Sequence, residues 1–259
     1  MKSKRLVLIS IIVAFFLIVL LSCMTLFSVR QAKVNFAVSE DFNTEEVQEF
    51  LDGYKGKNLM FLKVDKIQAE LEKYHYLEVV SIEKDYPNVL KVSLKERREV
   101  YCFNSGEQTY VTNEDGFVLS AVQADYVNNN RNVINVNLTG VTITEIKEGS
   151  VIATDSPEVM TSVFDMAKAA NLTDCIKQIN VIKKAAGEPG DVEFITYTGV
   201  TICVQKAEVD GVEKVNAAFK VYDEKVTDYE KAFDKLFVFR NADSGEIQVT
   251  WSDNVKVKE

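Results

Sequence analysis

Histidine is almost missing from this 259-residue chain: His75 stands alone. There is no second histidine to build a metal cluster and no G-x-S-x-G motif to pair with it as a nucleophile elbow. Packing at a helix end is the role expected of it. Cysteine is scarce too. Cys23 lies in an apolar run, and Cys102, Cys175 and Cys203 are scattered without C-x-x-C spacing. A disulfide between two of the last three is open from sequence alone, but the plainer expectation is small buried hydrophobes. A glycine-rich phosphate loop is absent. So is any excess of positive charge: 30 Lys+Arg face 39 Asp+Glu, a formal net charge of −9. That balance argues against nucleic acid, whose phosphates require basic neutralisation, and against broad adhesion of the soluble part to anionic lipid.

Charge of either sign is absent from "LVLISIIVAFFLIVLLSCMTLFSV", residues 6–29. As a helix this run spans about 36 Å, more than the roughly 30 Å hydrocarbon core of a bilayer. Lys2, Lys4 and Arg5 precede it without an acid, so the positive-inside rule places residues 1–5 in the cytoplasm as a short tail. The expectation is one transmembrane helix over 6–29, with the acidic remainder outside. A cleaved signal peptide has a shorter core and a small-residue site, which is not found before Arg30. Lipidation of Cys23 through Leu20-Leu21-Ser22-Cys23 is the other alternative, although "MTLFSV" carries the apolar run past it.

Beyond Arg30 the spacing predicts a short strand over 33–38. A helix then follows with Asn43 as N-cap and Glu46 three residues on, with Val47, Phe50 and Leu51 on its inner face and Gly53 and Gly56 at its end. A second helix is expected with Asp65 as cap, Gln68 at N3, and Ile67, Leu71 and Tyr74 inward. In "VVSIEKDYPNVLKVSLKE" Val80 and Ile82 share one face of a strand. Asp85-Tyr86-Pro87-Asn88 form the turn, and Leu90, Val92 and Leu94 alternate with Lys91, Ser93 and Lys95. The order is β-α-α-β-β, and its sheet has one apolar and one solvated face.

The stretch "GKNLMFLKVDKIQAELEKYHYLEVVSIEKDYPNVLKVSLKERREV" resembles the POTRA module of the FtsQ/DivIB bacterial cell-division family, most specifically in Tyr86-Pro87-Asn88 followed by Leu90-x-Val92-x-Leu94-x-Glu96-Arg97. "NEDGFVL", residues 113–119, resembles the segment just downstream in that family. His75 stands where a proline is common, and Glu99 departs from the usual pattern after the Glu-Arg pair. The fold class implied is α+β: a single N-terminal transmembrane helix, a POTRA domain over 30–100, and a mixed α/β domain over 101–259 built on an antiparallel sheet.

In that second part, Ser156 and Pro157 open a helix whose buried stripe is Met160, Val163, Phe164 and Ala167. Residues 191–206 form a hairpin with Val192, Phe194 and Ile195 on one arm, Val200, Ile202 and Val204 on the other, and Gly199 in the turn. Val212, Val215, Phe219, Tyr222, Val226, Tyr229, Phe233 and Leu236 then keep a 3,4 spacing. It predicts a long amphipathic helix lying on its own sheet, with an intermolecular coiled coil as the alternative. "GEIQVTWSDNVKVK" resembles the final strand pair of the family.

Two motifs mimic penicillin-binding chemistry: Ser81-x-x-Lys84 and Ser252-Asp253-Asn254. Ser81 falls in a strand, where a three-residue separation sends the two side chains to opposite faces, and no K-T-G exists. No catalytic, cofactor-binding or metal residue is therefore expected, and no small-molecule substrate. What the resemblance implies is a non-enzymatic divisome scaffold at the septum, linking FtsB/DivIC-like and FtsL-like single-pass membrane proteins and supporting septal peptidoglycan synthesis. A membrane-anchored extracytoplasmic wall enzyme and a POTRA-type export chaperone are the alternatives. The partner site is expected at a terminal strand edge formed by Ile247, Gln248, Val249, Thr250 and Trp251, where an added strand satisfies free backbone groups. On that reading, proline at Gln248 or Thr250 removes only an edge N–H.

Overall fold

A computed structural model describes residues 2–39, 43–123, 126, 133–171, 175–185, 187–225 and 234–253. The chain divides into two units, Met1–Arg97 and Arg98–Glu259.

The first unit opens with helix α1, Lys2–Leu26. Its described side chains from Ser10 to Val19 are all exposed, among them Ile11, Phe15, Phe16 and Ile18. Among the described residues no helix is long and apolar enough to cross a membrane; the side chains of residues 1–9 and 20 lie outside that set. Strand β1 (Gln31–Ala37) follows, then α2 (Glu45–Asp52), α3 (Val64–Leu71), β2 (Leu77–Asp85) and β3 (Val89–Glu96). The strands form a sheet in the order β1-β3-β2, with β1 parallel and β2 antiparallel to β3. A parallel pair needs a long crossover, and the α2–α3 segment is part of it. The two helices bury Val47, Leu51, Ile67 and Leu71 against Leu90, Val92 and Leu94, as the alternation required.

Three local expectations are corrected. The N-cap of α2 is Thr44, not Asn43; the Asn43 side chain instead accepts from the Glu45 N–H at 3.0 Å, an Asx turn before the helix. The cap of α3 is Lys63, so Asp65 sits inside the first turn, where its charge favours the helix dipole. Val80 does not share the core face with Ile82. A β-bulge between Val79 and Ser81 turns Val80 outward to 61 % exposure, and Val79 packs inward in its place.

The second unit is a nine-stranded sheet. Its strands are β4 (Tyr101–Ser105), β5 (Gln108–Thr112), β6 (Val118–Val122), β7 (Ile134–Thr139), β10 (Ile176–Ile182), β11 (Asp191–Thr196), β12 (Thr201–Val204), β13 (Asp234–Arg240) and β14 (Ile247–Asp253). Their order is β14-β13-β12-β11-β10-β7-β4-β5-β6. A small pair, β8 (Ile143–Glu145) with β9 (Ala153–Thr154), stands apart. The sheet is mixed rather than antiparallel: β4–β7, β7–β10 and β12–β13 run parallel. The helices cause two of these. Helix α4 (Pro157–Ala169) lies in the connection from β7 to β10, and α5 (Gly211–Lys225) in that from β12 to β13. A helical crossover returns the chain in the same direction. Both helices contribute to the core: Val159, Met160, Val163 and Phe164 from α4, Val215, Ala218 and Phe219 from α5, together with Phe103, Phe194, Ile202 and Val238 from strands.

The long run from Val212 is not one helix. The described part of α5 ends at Lys225, and Leu236 lies in β13. Val226, Tyr229 and Phe233 lie outside the described residues. Within α5, Val215, Phe219 and Tyr222 are buried, as a helix on its own sheet requires.

Candidate partner edge

Strand β14 is the last strand of the nine-stranded sheet and pairs only with β13 among the described residues. Ile247 and Val249 pack partly buried against the core, Gln248 is half-exposed, and Thr250 is exposed. Trp251 pairs with Leu236 in the backbone register; its side chain lies outside the described residues, as does Asn254.

The direction of the backbone groups follows from two bonds. Asn241 N–H donates to the Glu246 carbonyl at 2.8 Å, and Gln205 N–H donates to the Val238 carbonyl at 3.0 Å. The first makes Asn241 and Glu246 a hydrogen-bonded pair. In antiparallel strands such pairs alternate with open ones. Phe239–Gln248 and Phe237–Thr250 are therefore bonded pairs in the register, and Val238–Val249 is open. The second bond agrees, since it turns Val238 toward β12. Gln248 and Thr250 thus spend their N–H groups on β13. The outward N–H and C=O groups belong to Ile247, Val249 and Trp251. Proline at Gln248 or Thr250 strikes the ladder, not the edge; the sequence reading placed it on the wrong parity because side-chain exposure and backbone direction are independent.

One residue that sequence reasoning missed fixes this edge. Arg240, at the end of β13, donates from Nε to Asp210 Oδ2 at 2.7 Å and from Nη2 to Glu213 Oε2 at 3.3 Å, and bonds the Gly245 carbonyl in the β13–β14 loop. The loop itself is tied by Asn241 Oδ1, which accepts from the Asp243 and Ser244 N–H groups. Gly245 takes φ +70, a conformation glycine adopts without strain. The turn signal "NADSG" after an arginine was legible; its partners at the start of α5 were not.

The opposite edge of the sheet is closed. Val118 of β6 donates to Ser150 at 2.9 Å and accepts from Gly149 at 2.9 Å, and the Ala121 N–H bonds the Glu148 carboxylate at 2.8 Å. Of the two ends of this sheet, β14 has its outward backbone groups unpaired among the described residues.

Other candidate chemistry is committed to structure. Glu193 of β11 meets Lys235 at 2.7 Å, the Cys203 thiol at 3.1 Å and Asn180 Nδ2 at 3.3 Å. Burial pushes the Glu193 carboxyl up, but these hydrogen bonds outweigh it and hold it below its ordinary value. Burial, with Glu193 alongside, pushes the Cys203 thiol up to about 12, and burial with Glu99 nearby pushes Cys102 up to about 11. Neither provides a thiolate at neutral pH. All four cysteines are free. Lys214, 2 % exposed, donates to the carbonyls of Gln205, Lys206 and Val209 at 2.8, 3.1 and 2.6 Å, and burial lowers its pKa. A cavity of about 440 Å³ near Phe103, Asn104 and Val136 has no acid, base or thiol in its lining. Among the described residues no cluster could hold a metal ion. Ser81 and Lys84 lie in one strand, with Lys84 Nζ on the Met60 carbonyl at 3.2 Å, so no helical S-x-x-K geometry forms. The His75 carbonyl accepts from Arg97 at 3.3 Å, next to the end of β3.

Comparison with known proteins agrees with this architecture. Residues 29–97 match the POTRA domain family of the FtsQ type. The cell division protein DivIB of Clostridium acetobutylicum is 26 % identical over 183 residues, covering 64 % of this chain and 70 % of that protein. The matched POTRA segment falls on the β-α-α-β-β unit, and the aligned length is more than twice that of the POTRA segment, so similarity extends beyond it. On these grounds the first unit carries a POTRA domain of the FtsQ type, and the chain is similar to a DivIB cell division protein.

Proposed function

We propose that this chain is a non-enzymatic cell-division protein that crosses the membrane once through residues 6–29 and works as a scaffold at the septum. Its bulk is extracytoplasmic, with residues 30–100 as the POTRA domain and 101–259 as the C-terminal domain. The similarity to DivIB supports the cell-division role. The 25-residue α1, with its described side chains from Ser10 to Val19 exposed, supports the anchor, since apolar side chains around a whole helix need an apolar surrounding. The observation that carries the scaffold reading is that the outer side of β14 is unpaired among the described residues. An extended segment of an FtsB/DivIC-like partner, associated with an FtsL-like protein, adds there as a further strand, with main-chain bonds to Ile247, Val249 and Trp251 and side-chain contacts to Gln248 and Thr250.

Depletion with complementation tests the role. Cells losing the protein should form filaments that lack septa, and the intact chain should restore division. Normal septation under full depletion, or arrested export with normal septa, would refute it.

A further inference from the structure

The sequence "NLMFL" is turned half inward and half outward. Leu59 is fully buried and Leu62 packs on the core of the first unit, while Met60 is 49 % and Phe61 77 % exposed. The turn between them is held firmly. Asn58 Oδ1 accepts from the Met60 N–H at 3.0 Å, and Phe61 N–H donates to the Asn58 carbonyl at 3.2 Å. An apolar pair fixed toward solvent by a turn has a use for that exposure.

Its place in the fold gives the use. Leu59 N–H donates to the Phe27 carbonyl at 2.7 Å, and Asn58 Nδ2 reaches the Met24 carbonyl at 3.4 Å. Val29 N–H bonds Lys57, Gly56 N–H bonds Val29, and Arg30 N–H bonds Asn88. The turn is therefore clamped to the last residues of α1. Tyr86, at the tip of the β2–β3 hairpin and 54 % exposed, stacks edge-on against Phe27 at 5.9 Å. Met60 and Phe61 are one and two residues past Leu59, at most about 7 Å along the chain. If residues 6–29 cross the bilayer, Leu26 and Phe27 stand near the boundary between acyl chains and headgroups, because a bilayer of about 40–45 Å has a hydrocarbon core of only ~30 Å. The exposed pair then lies within reach of that boundary. Charge agrees: between Gly53 and Val64 the chain carries Lys55, Lys57 and Lys63 and no acid, in a protein that is acidic as a whole; Lys55 is paired with Asp52 at 2.8 Å, which leaves Lys57 and Lys63. Lys57 lies over the Tyr54 ring at 4.2 Å, and Lys84 is bonded to the Met60 carbonyl.

We propose that the Asn58–Phe61 turn, with Tyr86 beside it, is an interfacial lipid-binding site: Met60 and Phe61 enter the headgroup–acyl boundary, and Lys57 and Lys63 meet anionic headgroups. Aromatic rings favour this layer, and basic side chains near it are attracted to anionic lipid. The site fixes the first unit against the bilayer rather than letting it swing from α1. The proposal rests on the membrane-anchor reading.

The test uses the full chain in nanodiscs of phosphatidylethanolamine and phosphatidylglycerol whose acyl chains are brominated either near the headgroup or near the bilayer centre. Phe61→Trp and Leu17→Trp are each compared with the parent chain, whose sole tryptophan, Trp251, sets the background. Phe61 is too exposed for the exchange to unfold the domain. The expected result is loss of the added emission from Phe61→Trp with shallow bromines and from Leu17→Trp with deep ones. Quenching of Leu17→Trp alone overturns the interfacial site and leaves the anchor standing. Quenching of neither overturns both. If the Phe61→Trp emission changes only when a second membrane protein is co-reconstituted, the patch docks protein and the lipid assignment falls.

Discussion

Two proline substitutions one residue apart should behave oppositely. Thr250→Pro removes an N–H that bonds β13 and leaves the Phe237 carbonyl without its donor. An orphaned polar group of this kind costs about 1–3 kcal/mol, and the proline ring projects into the ladder besides. Val249→Pro removes an N–H that points away from the sheet. Both side chains carry three carbons, so the half-buried contact with the core changes by about one CH₂ group at most, roughly 0.8 kcal/mol. A kcal/mol corresponds to about 2–4 °C for a domain of this size. Thermal unfolding of the purified chain should therefore show Thr250→Pro several degrees below Val249→Pro. Binding should show the reverse logic: Val249→Pro stays folded yet loses strand addition, because its outward donor is gone. If Thr250→Pro melts with the parent chain while Val249→Pro unfolds, the assigned parity of β14 is wrong. If Val249→Pro folds and still binds the partner with full affinity, strand addition at this edge is wrong.

Three further perturbations address the framework that holds these sites. Leu90→Ala and Leu94→Ala, both fully buried, should each cost about 2–5 kcal/mol in the first unit, and an unchanged denaturation midpoint for both would remove them from the core. Gly140→Ala should destabilise the second unit strongly, because a Cβ there would lie 1.9 Å from the Lys183 carbonyl oxygen at φ +71; a melting temperature equal to that of the parent would contradict the register of β7 beside β10. The Glu193 carboxyl is depressed in the fold, so its contribution is present above its unfolded value, about 4.3, and is lost as pH falls through the lower folded value. Glu193→Gln should accordingly flatten that part of the stability–pH curve, and a curve parallel to that of the parent chain would show that the Lys235 pair carries no such linkage.

The first unit was legible because its strands have one wet face: Leu90, Val92 and Leu94 alternate with polar neighbours, and burial follows the alternation. The bulge at Val80 was not, since a one-residue insertion leaves an apolar residue where the pattern expects one. The 3,4 spacing misled at Leu236 for a related reason. Leu236 satisfies a heptad position by coincidence, while Leu236 and Val238, two apart, obey the period of a strand buried under a helix. Mixed strand direction escaped notice because it depends on which strands become neighbours, and β7 meets β10 across a helical connection that no local pattern encodes. At the partner edge the position at the sheet's end was foreseeable from its place late in the chain. The orientation of its backbone groups was not, because that is set by the hydrogen-bond phase with β13.

Among the described residues, the covered β6 side and the open β14 side give the large sheet a direction of growth. A sheet free at both sides could accept a copy of itself at each and lengthen into a fibre; heterologous contacts that fail to close do so without limit. Here Ser150 and Gly149 occupy the outward groups of Val118 and Glu148 that of the Ala121 N–H, which obstructs lengthening from that side. A single added strand at β14 terminates the series, and two copies meeting there could form only a twofold pair. Growth through this sheet is thereby limited to finite units.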